Sequence, residues 1–129
     1  MTTFKSPEVL INKSGENIFK KLSDLNNLKD ILPKEIEGFK STEDTCSFKI
    51  QNMPKIRLEI AERIPFSKIS LIAKESQIPF SLDCHILEKN NQCQVRLEIK
   101  TELNMMMKMM LEKPLTQFLD VLATKIKNI

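Results

Sequence analysis

His85 is the only histidine in the chain, and Asp83 stands two residues before it. A histidine acts as a general base when a carboxylate or a nucleophile partners it, and residues two apart on a strand share a face. The strand pattern places both on the polar side of a sheet with Arg96, Glu98 and Lys100, where such pairs are ordinary solvated charges. A single histidine excludes a His-rich zinc site, and a Ser/His/Asp triad has no supporting context. The three cysteines, Cys46, Cys84 and Cys93, have no short ligand-like spacing. Their odd number does not suit a small secreted disulfide framework. Cys46 and Cys84 fall on apolar strand positions, where a thiol behaves as a small hydrophobe with a raised pKa. Cys93, beside a turn, is expected to be the most accessible of the three. Glu43-Asp44 and Glu59/Glu62 are carboxylate pairs in turns or on charged faces. Glu62 is the exception: alternation continued from Ile60 turns it inward, unless a bulge before Pro65 re-aims it. None of these groups makes a catalytic, metal-binding or cofactor-binding signature.

The other chemically distinctive feature is a cluster of methionines, Met105, Met106, Met107, Met109 and Met110. Unbranched thioethers fill irregular apolar spaces and recur at adaptable binding surfaces, and they are also soft ligands for copper(I). Five within six positions cannot all face one side of a helix. At helical spacing Met107 and Met110 align with Leu111, Leu115, Phe118, Leu122 and Ile126 and are expected to line a core or cavity. Met105, Met106 and Met109 are left over. They offer an outward apolar surface to a protein partner or a second copy of the chain.

The elements that must position these groups change period along the chain. Thr3 to Asn12 reads as a strand with Pro7 near its start. Ser14 is an N-cap for an amphipathic helix over Gly15 to Leu25, carrying Ile18, Phe19, Leu22 and Leu25. A second short helix spans Asn27 to Leu32 and stops at Pro33. Beyond Pro33 the period becomes two. Strands are predicted over Ile36–Ser41, Cys46–Ile50, Ile56–Ile60 and Ile69–Lys74. The best-defined pair is Phe80–Lys89 with Gln92–Leu103, joined through Asn90-Asn91, a dipeptide that tolerates positive φ. That turn sets Phe80 against Thr101, Leu82 against Ile99, Cys84 against Leu97 and Ile86 against Val95. The final helix contains Pro114, which removes the backbone bond to Met110 and predicts a kink or a late start. The string Ile-Pro-Phe-Ser occurs at 64–67 and 78–81, too short to signal a repeat.

Composition narrows the classes. At 129 residues, residues 1–129 are expected to form one domain with an adequate core. The net charge of +3 comes from 20 basic and 17 acidic residues that alternate rather than cluster. Trp and Tyr are absent. Without a basic arm or stacking aromatics, nucleic-acid binding is disfavoured. No apolar run approaches the ~20 residues that span a bilayer, and the first residues lack a signal-peptide pattern, so a cytoplasmic protein is expected.

The order strand, two short helices, several antiparallel strands, long final helix resembles the START-like helix-grip superfamily, also called SRPBCC, with its polyketide-cyclase-like members. Lys5 to Ser14 running into Glu16-Asn17-Ile18-Phe19 is similar to that family's first strand and capped helix. Leu28 to Pro33 resembles its second short helix, and Leu103 to Ile129, with Phe118 to Ala123, its terminal helix. The resemblance implies an α+β fold in which about seven antiparallel strands curve around the C-terminal helix, with hydrophobic ligands held between them. The glycine-rich loop of the allergen-like branch is missing, since Gly15 and Gly38 are the only glycines. The expected function is non-catalytic binding of a small apolar or lipid-like molecule. The expected lining is Phe48, Leu58, Ile60, Leu71, Phe80, Leu82, Cys84, Leu97, Ile99, Met107, Met110 and Leu111. A protein-interaction module showing its methionines outward is one rival. An enzyme of cyclase or hydratase type is another, and would need a polar group in the cavity such as Glu62 or Thr101.

Overall fold

The computed structural model describes residues 2–50, 54–74 and 79–129. Strands β1 (Thr2–Lys5) and β2 (Val9–Ile11) lead into helix α1 (Gly15–Ser23) and a 3₁₀ helix over Leu25–Asp30. Six further strands follow: β3 (Glu37–Ser41), β4 (Thr45–Lys49), β5 (Ile56–Ile64), β6 (Lys68–Ala73), β7 (Phe80–Lys89) and β8 (Gln92–Thr101). Helix α2 (Met105–Lys127) ends the chain. The strands form one antiparallel curved sheet in the order β1-β8-β7-β6-β5-β4-β3, with β2 also paired to β8.

Among the described residues there are eight strands where about seven were expected, because the first is divided. β1 and β2 lie in line on the same edge of β8, with Lys5 opposite Glu98 and Val9 opposite Val95. Pro7 has no N–H to give the ladder. At the break Ser6 substitutes its side chain: its N–H donates to the Leu97 carbonyl (2.8 Å), and its Oγ accepts the Leu97 N–H (2.9 Å). The β7–β8 register is the expected one throughout, from Phe80 opposite Thr101 to Ile86 opposite Val95. Asn90 (φ 47°) and Asn91 (φ 68°) both take the left-handed conformation that a tight hairpin of this kind needs.

α1 begins as its sequence dictates, the Ser14 hydroxyl accepting the Asn17 N–H (3.1 Å). Its buried face, Ile18, Phe19 and Leu22, packs on β6, β7 and β8. The second short helix is 3₁₀ rather than α. Asp24 caps it by accepting the Asn26 N–H (3.0 Å), and Ile31 closes it onto the Leu28 carbonyl (3.0 Å). β5 runs four residues beyond its expected end because the strand bulges between Ile60 and Glu62. A bulge inserts a residue and reverses the facing of those after it. Glu62 therefore turns outward, where it pairs with Lys68 at 3.6 Å.

α2 starts at Met105 with Asn104 as N-cap and stays continuous through Pro114, so the late start does not occur. Its apolar stripe is buried as the spacing requires, with Leu111, Leu115, Phe118, Leu122 and Ile126 each at most 4% exposed. Leu119 and Ala123 widen it. Phe118 stacks on Phe48 of β4 at 5.8 Å, so the helix fills much of the concave face of the sheet. No helix among the described residues is long and apolar enough to cross a membrane.

Candidate functional site

Between sheet and helix a cavity of about 40 Å³ remains. Three elements wall it. α1 and the 3₁₀ segment supply Leu22, Leu25, Leu28 and Ile31; β6 to β8 supply Ile69, Leu71, Leu82, Cys84 and Leu97; α2 supplies Leu122 and Ile126. Every lining side chain is apolar or a thiol. Cys84 is the sole titratable one, and burial pushes its pKa up to about 12, so it stays a neutral thiol. Such a wall solvates carbon and offers no general base.

Of the expected lining, Leu71, Leu82, Cys84 and Leu97 meet at this cavity. Phe48, Leu58, Phe80, Ile99 and Leu111 are buried elsewhere in the core. Ile60 and Met107 are half-buried against it. Met110 is a correction: it is 62% exposed, because the side of α2 that packs on the sheet is the one carrying Met107 and Leu111. The methionines do not form the mouth of the cavity either. Twelve residues separate Met110 from Leu122, which is about 18 Å along a helix. Met105, Met106 and Met109 are 77%, 72% and 76% exposed and, with Met110, form an outward apolar patch. Leu22, Leu25, Leu28, Ile31, Ile69, Leu122 and Ile126 were missing from the expected lining. Their apolar spacing was visible, but spacing does not say which core residues border a gap.

Next to the cavity, a groove of about 480 Å³ runs along the flank of α2. Pro33, Ile36, Ile50, Pro114, Phe118 and Val121 form its apolar wall, and Glu35, Gln117 and Asp120 its polar rim. The exit of the 3₁₀ helix, which leads from the cavity residue Ile31 to the groove residue Pro33, is tied to α2 by a polar contact. Lys125 Nζ donates to the Leu32 carbonyl at 2.7 Å.

The outer face of the sheet carries the polar groups. Asp83 and Glu98 lie directly opposite each other on β7 and β8 and are 5% and 6% exposed, not wet as their alternation suggested. Glu98 is flanked by Arg96 (3.8 Å) and Lys100 (3.5 Å), while the Ser70 hydroxyl donates to Asp83. Asp83, His85 and Glu98 bring their ligand atoms within 4.8 Å of one another, the spacing a cation would need. Their oxygens are already answered by Arg96, Lys100 and Ser70, so the cluster reads as a charge lattice rather than a metal centre. Partial burial and the neighbouring Arg96 push the His85 pKa down, which favours neutral imidazole. Of the two groups expected to serve an enzyme, Glu62 is exposed on this outer face. Thr101 is buried, but its hydroxyl donates to the Pro79 carbonyl at 2.7 Å. The cysteines also depart from expectation at one position: Cys93 is fully buried, because the turn beside it exposes Asn90 and Asn91 while β2 covers its other side.

No protein-family model and no curated protein matches the chain in sequence. Solved structures match its shape. A START superfamily protein from Mycobacterium smegmatis superposes with a TM-score of 0.76 at 14% identity, covering 98% of this chain and 94% of its own. Norcoclaurine synthase from Thalictrum flavum gives 0.74 at 14% identity, over 98% and 84%. A protein from Thermus thermophilus gives 0.74 at 15%, over 98% and 95%. The chain thus has the START-like helix-grip fold.

Proposed function

We propose that this protein is a non-catalytic binder of a small apolar or lipid-like molecule, held between the sheet and α2. The observation that carries the reading is the cavity wall, apolar on every side at the place where the fold leaves its sheet and helix unsealed. Burial of ligand carbon would supply affinity at about 25 cal/mol per Å². The cavity of about 40 Å³ is far below the several hundred Å³ of a ligand pocket, so binding requires one wall to move. The 3₁₀ segment is that wall. Its hydrogen bonds are of the poorer i to i+3 kind, and Leu25, Leu28 and Ile31 are its buried contacts with the cavity. Displacing it joins the cavity to the groove beside Pro33 and Ile36. Native mass spectrometry of protein purified from its own host is expected to show a co-purifying small apolar molecule. Methyl NMR with an added fatty acid should shift Ile31, Ile69 and Leu122. Absence of any bound molecule together with unmoved cavity methyls would sink the reading.

A second reading has its own observation. Four methionines exposed on one and a half turns of α2 suit docking to a protein partner or a second copy of the chain. Light scattering of wild type against Met106→Lys/Met109→Lys separates the two, since only an interface would be lost.

A further inference from the structure

The other large concavity lies on the far side of the sheet from the apolar cavity. Cys46, Phe48, Ile56 and Leu58 of β4 and β5 face the core, so alternation sends Thr45, Ser47 and Arg57 outward. Lys40 stands opposite Ser47 and Ser47 opposite Arg57, while the Lys74 N–H donates to the Arg57 carbonyl at 3.0 Å. One row across β3, β4, β5 and the residue after β6 thus reads Lys40, Ser47, Arg57, Lys74. With Lys55 it lines a basin of about 410 Å³ whose described wall includes Ser41, Thr42 and Thr45 but no carboxylate.

That wall breaks the rule followed by the rest of the face. Lys68 is paired with Glu62, and Arg96 and Lys100 with Glu98. Among the described residues, none of Lys40, Lys55, Arg57 or Lys74 has an ion pair. Glu59, two register pairs along from Arg57 and opposite Thr45, is an acid on this same face, yet it does not line the basin. Like charges on neighbouring strands repel, so such a row costs stability unless an anion is placed among them.

We propose that the basin binds the phosphate group of a small molecule or lipid headgroup. The Arg57 guanidinium is suited to grip two phosphate oxygens at once, and Lys40, Lys55 and Lys74 add point charges around it. The Ser47 hydroxyl supplies a neutral donor at the centre of the row. Four cations about one basin favour a dianion or a linked pair of phosphates over a single carboxylate. This site is independent of the apolar cavity, because the sheet lies between them.

The test uses the full chain, inorganic pyrophosphate, and phosphatidylcholine vesicles with and without phosphatidic acid. Pyrophosphate is expected to bind saturably, to shift the amides of Lys40, Ser47, Arg57 and Lys74, and to weaken as salt is raised. Arg57→Ala with Lys74→Ala should cut affinity about tenfold or more. Lys20→Ala, on the exposed face of α1, should leave it unchanged. Binding to pyrophosphate itself identifies a soluble phosphate as the source. Co-sedimentation only with phosphatidic acid vesicles, and only with Arg57 and Lys74 present, identifies a headgroup. Neither response, or a response that survives the double variant while its circular dichroism melt matches wild type, overturns the proposal.

Discussion

At the residue scale, the thiols show how far a side chain's chemistry is set by its surroundings. Burial pushes Cys46 and Cys84 up to about 12 and raises Cys93 as well, with Glu88 adding to the last effect. A thiol whose folded pKa exceeds its unfolded value keeps its proton in the native state while the unfolded chain gives its proton up. Stability is therefore fully present below about pH 9 and falls as the pH rises toward 12. A series of denaturant melts from pH 7 to 11 is expected to show that loss, and a Cys46→Ala/Cys84→Ala variant a shallower one. Native protein should leave all three thiols unreactive to a disulfide reagent until it unfolds. Packing makes a second prediction at this scale. Leu122, 2% exposed on the cavity wall, should cost about 2–5 kcal/mol on replacement by Ala, read by chemical denaturation. The same variant should take up benzene or xenon more readily than wild type, because the enlarged space stays dry. The facing of Cys84 was legible in its strand alternation. Cys93 is buried against that expectation, because nearness to a turn says nothing about which edge strand lies over it.

At the element scale, the turn between β7 and β8 and the 3₁₀ segment behave oppositely. Asn90 and Asn91 hold positive φ with local chemistry alone, which is why the dipeptide fixed the register of ten paired positions in advance. Asn91→Gly should stabilise by about 0.5 kcal/mol, and Asn91→Val should destabilise by about 1–2 kcal/mol, measured by thermal melts. Apolar spacing predicts a short helix over Asn27 to Leu32; the turn that forms is the 3₁₀ helix Leu25–Asp30, packed against β3 and β4. Lys125 ties the exit of that segment to α2 across 93 positions of sequence, a contact no local pattern announces. Lys125→Ala should cost about 0.5–1.5 kcal/mol. If the segment is the moving wall of the apolar site, the variant should also load an apolar probe faster in stopped flow. Slower or unchanged loading would leave the segment without that role. The bulge in β5 belongs here too, since one inserted residue carries Glu62 from the core side to Lys68 on the outer face.

At the scale of the whole molecule, one sheet presents two unlike surfaces. Its inner face and α2 pack into a core with a small apolar gap, and its outer face carries a compensated charge lattice beside a basic row that has no ion pair among the described residues. A ligand that binds only the folded state stabilises it by mass action, so a true apolar ligand at a hundred times its dissociation constant should add about 2.7 kcal/mol in a thermal shift. Apart from the division of the first strand, the element order, the strand periods, the β7–β8 register and the buried stripe of α2 were legible in the sequence. Those follow from nearest-neighbour sterics and from alternation, which are local. It also contained each residue of the basic row, but scattered over 35 positions of chain from Lys40 to Lys74. Tertiary packing is what brings these cations to one basin, buries Asp83 and Glu98 side by side, sets the methionines away from the cavity and places the gap. The physical reason is that side-chain period fixes which face a residue occupies, while pairing across strands and the seating of α2 fix its neighbours.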